Sequence, residues 1–234
     1  MDYLVISDSH IDPAVPLTPL WTKLGEYCVK NKPRYIIHAG DVACLDSLSH
    51  YISQRGSFTT DEELACVERH LRAFEDVIRR DQERCRASKH RMYRPIKVLC
   101  LGNHDIRKDN SGIKDLFERY GWVVADYLEP VTIEGITFCH CLPRRNSDVM
   151  CTTAEELLQT WHSTVVVGHS HTQDYAESYV IGSQQPIRAI KCPCFTMIPP
   201  KYGDFGNVIW PLGWLEITSN PFEFRWRNVE CLWK

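Results

Sequence analysis

The 234-residue sequence predicts an α/β layered fold in which two packed central β-sheets are flanked by helices. Three observations lead there. Short β-branched or aromatic runs recur, each ending abruptly in Asp, His, Asn or Gly; helix-period segments separate the first of them; and beyond residue 172 the chain shows only short strand-like runs punctuated by Gly, Pro and Asn. Strands that alternate with helices favour helices layered on a sheet. The later runs read as a second, mainly antiparallel sheet packed on the first.

Taken in order, Tyr3-Leu4-Val5-Ile6 runs into Asp8-Ser9-His10, and a helix over about 17–31 leads to Tyr35-Ile36-Ile37, which ends at Gly40-Asp41. A long helix follows. It opens with the capping box Thr60-Asp61-Glu62-Glu63 and puts Leu64, Val67, Leu71, Phe74, Val77 and Ile78 on one face. The run at 96–101 stops at Gly102-Asn103-His104-Asp105. Residues 130–139 read as a hairpin turning at Glu134-Gly135, whose second arm ends in Cys139-His140. The run Val165-Val166-Val167 ends in Gly168-His169-Ser170-His171. Strands are further expected at 179–181, 187–190, 214–217 and 222–226, with Trp210, Trp214, Trp226 and Trp233 in the core of the second sheet. No repeat or linker interrupts the chain, so one domain over 1–234, with a helical insertion at about 56–94, is the expectation.

Composition narrows the class. Hydrophobic residues at 44% and charged residues at 24% exclude a disordered chain or a coiled coil. Apolar runs fall far short of the roughly 20 residues that span a bilayer, and the start lacks the basic and apolar segments of a secretory signal. A cytoplasmic protein without membrane contact is expected. The eleven cysteines are odd in number and scattered, and Cys139/Cys141 and Cys192/Cys194 lie too close for a zinc knuckle, so they read as reduced thiols. A net charge of -3 gives no overall field for nucleic acid. Any affinity for phosphate has to be local.

In open α/β sheets, ligands gather beyond the carboxyl ends of the strands. The five polar endings place Asp8, His10, Asp41, Asn103, His104, Asp105, His140, His169 and His171 there. Mixed carboxylate and imidazole donors suit Mn, Fe or Zn, and there are more of them than one ion takes. Two ions about 3.5–4 Å apart are a recurrent device for hydrolysing phosphate esters.

This ordered series, Asp8-x-His10, Gly40-Asp41, Gly102-Asn103-His104-Asp105, His140 and Gly168-His169-x-His171, resembles the calcineurin-like metallophosphoesterases over residues 8–171. The tail, from Cys192-Pro193-Cys194 to Trp214, is similar to the closing segment of small phage-type members. The resemblance implies a first metal on Asp8, His10 and His171, with Asp41 bridging to a second on Asn103, His140 and His169. It implies two divalent ions, Mn foremost with Fe, Zn, Ni or Mg as alternatives, and a metal-bridging hydroxide as nucleophile. His104 is implied beside the bound phosphate, stabilising charge or protonating the leaving oxygen.

Two positions depart from the family's pattern. Cys44 stands where relatives carry a group that orients the catalytic histidine, leaving Asp105 or Asp46 to substitute; Cys141 stands where Gly is frequent, crowding the metal or altering access. The Asn-His-Asp ending resembles phosphodiesterase and nuclease branches more than protein phosphatases. A phosphodiesterase acting on nucleotides or nucleic acid is therefore expected, with a phosphomonoesterase, a cyclic-nucleotide hydrolase or a non-catalytic metal-bound scaffold as alternatives. Arg107, Lys108, Arg144 and Arg145 follow the metal-site strand ends, as phosphate clamps or as exposed loop residues. Residues 79–97 carry a local charge of +6, either a solvated helix end or a nucleic-acid-facing patch. His38, His50, His70, His90 and His162 match no motif and read as structural. Oligomeric state is not legible.

Overall fold

Strand β1 (Tyr3–Ile6) is buried along its whole length, because its two faces meet different layers. Leu4 and Ile6 join a core that includes Trp21, Leu24, Val67, Leu71, Phe74 and Phe117; Tyr3 and Val5 join another with Phe138, Val166 and Ile190. In this computed structural model, residues 1–15, 18–49, 57–109, 111–180, 185–198 and 210–233 are described. The crossovers between parallel β1, β2 (Tyr35–His38), β3 (Ile96–Cys100) and β4 (Val123–Ala125) carry α1 (Leu20–Asn31), α2 (Thr60–Ala87) and α3 (Gly112–Arg119). The second sheet holds β5 (Val131–Ile133), β6 (Ile136–Cys139), β7 (Thr164–Val167), β8 (Asp174–Ser178) and β9 (Ile187–Lys191) in the order β5-β6-β7-β9-β8. Its outer face packs Val165 and Val167 on Leu157 of α4 (Ala154–Thr160). The layers run helices, sheet, sheet, helix.

Three expectations need correction. Strands β10 (Gly213–Ser219) and β11 (Phe222–Asn228) belong to the first sheet: β10 pairs antiparallel with β1, Val5 opposite Leu215, and β11 forms the outer edge. Period-2 patterning identifies a strand but not its partner, and these two cover the edge that β1 would otherwise expose. The second sheet is mixed rather than mainly antiparallel, since β6, β7 and β9 run parallel while β5 and β8 run antiparallel to their neighbours. Strand β8 also falls earlier than 179–181; Tyr179 and Val180 are exposed after it, and Ile181 lies outside the described residues.

The capping box sits one residue earlier than expected. Thr59 caps α2, accepting from the Glu62 amide at 3.3 Å while Glu62 accepts from the Thr59 amide at 2.8 Å. Such a cap contributes about 1 kcal/mol. Glu63 is released for another task, described below. The tryptophans also distribute differently: Trp214 is fully buried against Tyr27 of α1, Trp226 packs between the sheets, Trp233 is exposed, and Trp210 lies beside the strand-end histidines. Within the +6 stretch, Arg79 pairs with Asp76 and Glu83, Arg84 with Asp81 and Lys97 with Glu75. All eleven cysteines are unpaired. No helix among the described residues is long and apolar enough to cross a membrane.

Candidate metal centre

The carboxyl ends of β1, β2, β3, β6 and β7 converge on one rim, where the loops are stitched together by main-chain and carboxylate hydrogen bonds. Asp8 N donates to Gly40 O (2.9 Å), His10 N to Asp41 O (3.1 Å) and Gly168 N to His140 O (3.0 Å). Across the gap, His169 N donates to Asp8 Oδ2 (3.0 Å) and His104 N to Asp41 Oδ1 (2.9 Å). Five of the expected ligands, Asp8, His10, Asp41, His169 and His171, have φ between 43° and 69°. Left-handed backbone costs a non-glycine residue about 1–3 kcal/mol and concentrates at functional sites. Here it turns each side chain back over its strand end. Two motif glycines make the close approach feasible: a Cβ on Gly102 would strike the Asp41 carboxylate, and one on Gly168 would strike Ser7 Oγ and the Asp8 carboxylate.

Ligand atoms of Asp8, His10, Asp41 and His171 lie within 4.8 Å of one another. Nε2 of His171 is 3.2 Å from Asp8 Oδ1 and 3.1 Å from His10 Nε2. Beside this group, His140 Nε2 faces Asp41 Oδ2 at 3.2 Å, Asn103 Oδ1 at 3.1 Å and His169 Nδ1 at 3.2 Å. His140 Nδ1 is 2.7 Å from Ala39 O, which takes the Nδ1 proton and turns Nε2 toward these partners; burial lowers this imidazole, but Asp41 and Asp8 outweigh it and raise it to about 9, so positive charge is favoured where Nε2 points. So many lone pairs meeting away from water fit cations. Asp41 belongs to both sets: one of its oxygens lies within the first, its Oδ2 faces His140 in the second, and its Oδ1 accepts from the His104 amide. The seven expected ligands are thus brought together in two adjoining sets.

His104 lies on the same rim, its ring 5.0 Å from that of His10. Its Nδ1 is 3.0 Å from the carbonyl oxygen of Cys44, so the main chain at the position that departs from the family's pattern holds the imidazole. The thiol points instead to His10 O at 3.5 Å. Asp105 is buried below: its Oδ1 accepts from Val42 N and its Oδ2 from Gly102 N, both at 2.9 Å, so it ties two ligand loops together. Arg107 donates to Cys44 O (2.7 Å), reaches His104 Nε2 (3.3 Å) and lies 3.6 Å from Asp46. Of the basic residues expected at a phosphate, Arg107 stands on the site. Arg144 pairs with Glu156, and Arg145 and Lys108 are exposed.

The family model for the calcineurin-like phosphoesterases matches residues 1–186. The chain belongs to this family. No curated protein matches it. Among solved structures, a phosphoesterase from E. coli, Yfce, aligns over 98% of this chain and 100% of its own at 16% identity and a TM-score of 0.41. Membership makes the chain a metal-dependent phosphoesterase, and the Asp8, His10, Asp41 and His171 group is a donor set for divalent ions.

The charges of this phosphoesterase site are set by burial and by each other. Burial pushes the Asp41 carboxyl up, but His140, His104 and His10 outweigh it and hold Asp41 well below the usual carboxylate range. Burial likewise raises Asp8, while His171 and His140 bring it down to about 2. Both are anions, ready for cations. Burial lowers His10 to about 3 and so keeps it an uncharged ligand. Burial also lowers His104, with Asp41 opposing and Arg107 reinforcing.

Several contributors carry no motif signal. Ser7 Oγ is 2.5 Å from Asp8 Oδ2. His38, expected to be structural, is buried beneath the centre with Nε2 2.8 Å from Ser9 Oγ, between two ligands in sequence. His70 bonds Cys66 O, His90 lies near Ser88, His162 is exposed, and His50 lies outside the described residues. Trp210 rests on the His171 ring at 3.9 Å between centroids, 6.4 Å from His10. The expectation put Trp210 in the core of the second sheet, and no spacing in the sequence places it here.

Proposed function

We propose that this phosphoesterase hydrolyses phosphodiesters of nucleotides or nucleic acid with two divalent ions. The observation that carries the reading is the pair of adjoining donor sets that meet at Asp41. Asp8, His10 and His171 would hold one ion; Asn103, His140 and His169 would hold the other. When bound, such ions attract the phosphate and lower the pKa of a water to make it a nucleophile. The donors suit Mn, Fe or Zn.

The chain's own residues do the remainder. Arg107 offers guanidinium N–H groups to phosphate oxygens. His104, anchored through Nδ1 on Cys44 O, presents Nε2 on the same side, where it can carry a proton to the departing oxygen. Preference for a diester rests on the likeness of Asn103-His104-Asp105 to diesterase and nuclease branches. The indole of Trp210 beside His171 adds an aromatic face of the kind on which bases stack.

Turnover of bis-p-nitrophenyl phosphate, p-nitrophenyl phosphate, cyclic nucleotides and single-stranded DNA by the Mn-loaded protein tests this directly. Faster cleavage of a diester or of DNA than of the monoester is the expected result. Ready cleavage of the monoester with the diesters untouched would refute the diesterase reading.

A further inference from the structure

Cys141 directly follows His140 at the end of β6 and is 2% exposed. Its Sγ and one ring nitrogen each of His140 and His169 lie within 4.8 Å of one another. Two ligands of one ion stand no farther apart than the sum of their bonds, about 4.3 Å for a nitrogen and a sulfur on zinc. The three atoms thus exceed the span that one zinc ion allows a nitrogen and a sulfur by no more than about 0.5 Å. The same His140 ring is held by Ala39 O with Nε2 toward Asp41, Asn103 and His169, so the sulfur stands beside the donor set assigned above to the second ion. The Cys141 thiol donates to Tyr127 Oη at 3.5 Å, a hydroxyl that can turn its own proton toward the sulfur once that sulfur is a thiolate.

We propose that Cys141 is a ligand of the second ion, alongside His140 and His169, and that this thiolate makes the second position select zinc or ferrous iron over manganese. Thiolates are soft donors, and carboxylate and carbonyl oxygens are hard ones, so one sulfur tilts a nitrogen and oxygen site toward softer ions. Binding forms a sulfur–metal bond, breaks the S–H bond and releases its proton to solvent, with no change of oxidation state. The inference rests on the two-ion reading above and adds a ligand to one of its sites.

Cobalt(II) loaded into the metal-free protein tests the bond itself. A sulfur-to-cobalt charge-transfer band in the near ultraviolet is expected for the wild type, lost in Cys141→Ser and in Cys141→Gly, while the visible cobalt bands persist in all three. Competition titrations should show zinc binding weakened by about tenfold or more in either variant, with manganese binding little changed. Visible cobalt bands without a charge-transfer band in the wild type would overturn the thiolate ligand and leave the two-ion centre standing; the wild-type spectrum decides this even if a variant fails to fold. A charge-transfer band that survives in Cys141→Ser would overturn it equally. Absence of any cobalt or zinc uptake by the wild type would overturn the metal centre itself, and this inference with it.

Discussion

Asp41 and His104 carry separable parts of the chemistry, and their surroundings say how to tell them apart. The His104 ring touches Cys44 O and Arg107, whereas Asp41 lies among the ligands. His104→Ala should therefore leave metal content intact and lower kcat by about 10²–10⁴-fold for esters with alkoxide leaving groups. The loss should be much smaller for p-nitrophenyl esters, whose leaving oxygen needs no proton. Equal losses for both would make His104 a phosphate ligand rather than an acid. Gly168→Ala has the opposite signature. Its Cβ has no room between Ser7 and the Asp8 carboxylate, so metal content measured by elemental analysis should fall even where the fold survives.

At the scale of elements, α2 positions the site from a distance. Glu63 in its first turn is buried and accepts from Asp46 N (2.7 Å), Ser47 N (3.1 Å) and the Ser47 hydroxyl. It thereby pins the segment just after Cys44, whose carbonyl holds His104 and Arg107. Glu63→Ala leaves those amides unpaired and should cost about 1–3 kcal/mol in denaturant unfolding, with kcat reduced and metal content unchanged. The sequence could not show this, because Thr59-Thr60 and Glu62-Glu63 offer the same capping box in two adjacent frames. Only the packed helix reveals which glutamate is spare. Strands β1, β2, β3, β6 and β7 were legible because each stops at a motif. The sheet to which β10 and β11 belong was not, because pairing with β1 across some two hundred residues leaves no local trace. At the site, the ligands were readable from motif order. The Cys44 carbonyl, the Ser7 hydroxyl and Trp210 act through main-chain, hydrogen-bond and packing geometry that carries no motif.

For the molecule as a whole, two sheets and three cores meet so that strand ends from both sheets supply one centre. Ions bound there join elements distant in sequence, Asp8 and His10 to His171, and Asp41 to His140 and His169. Since ligands that bind only the folded chain stabilise it by mass action, by about 2.7 kcal/mol at a hundredfold excess over Kd, chelation should lower Tm and added divalent ions should restore it. A Tm indifferent to chelator would deny the metal that role. The most direct test of the central claim is metal content per chain measured together with divalent-ion-dependent turnover, for wild type and Asp41→Asn. The account predicts about two ions per wild-type chain and ion-dependent turnover, with fewer ions and turnover abolished in Asp41→Asn. Full metal content and undiminished turnover in Asp41→Asn would contradict it.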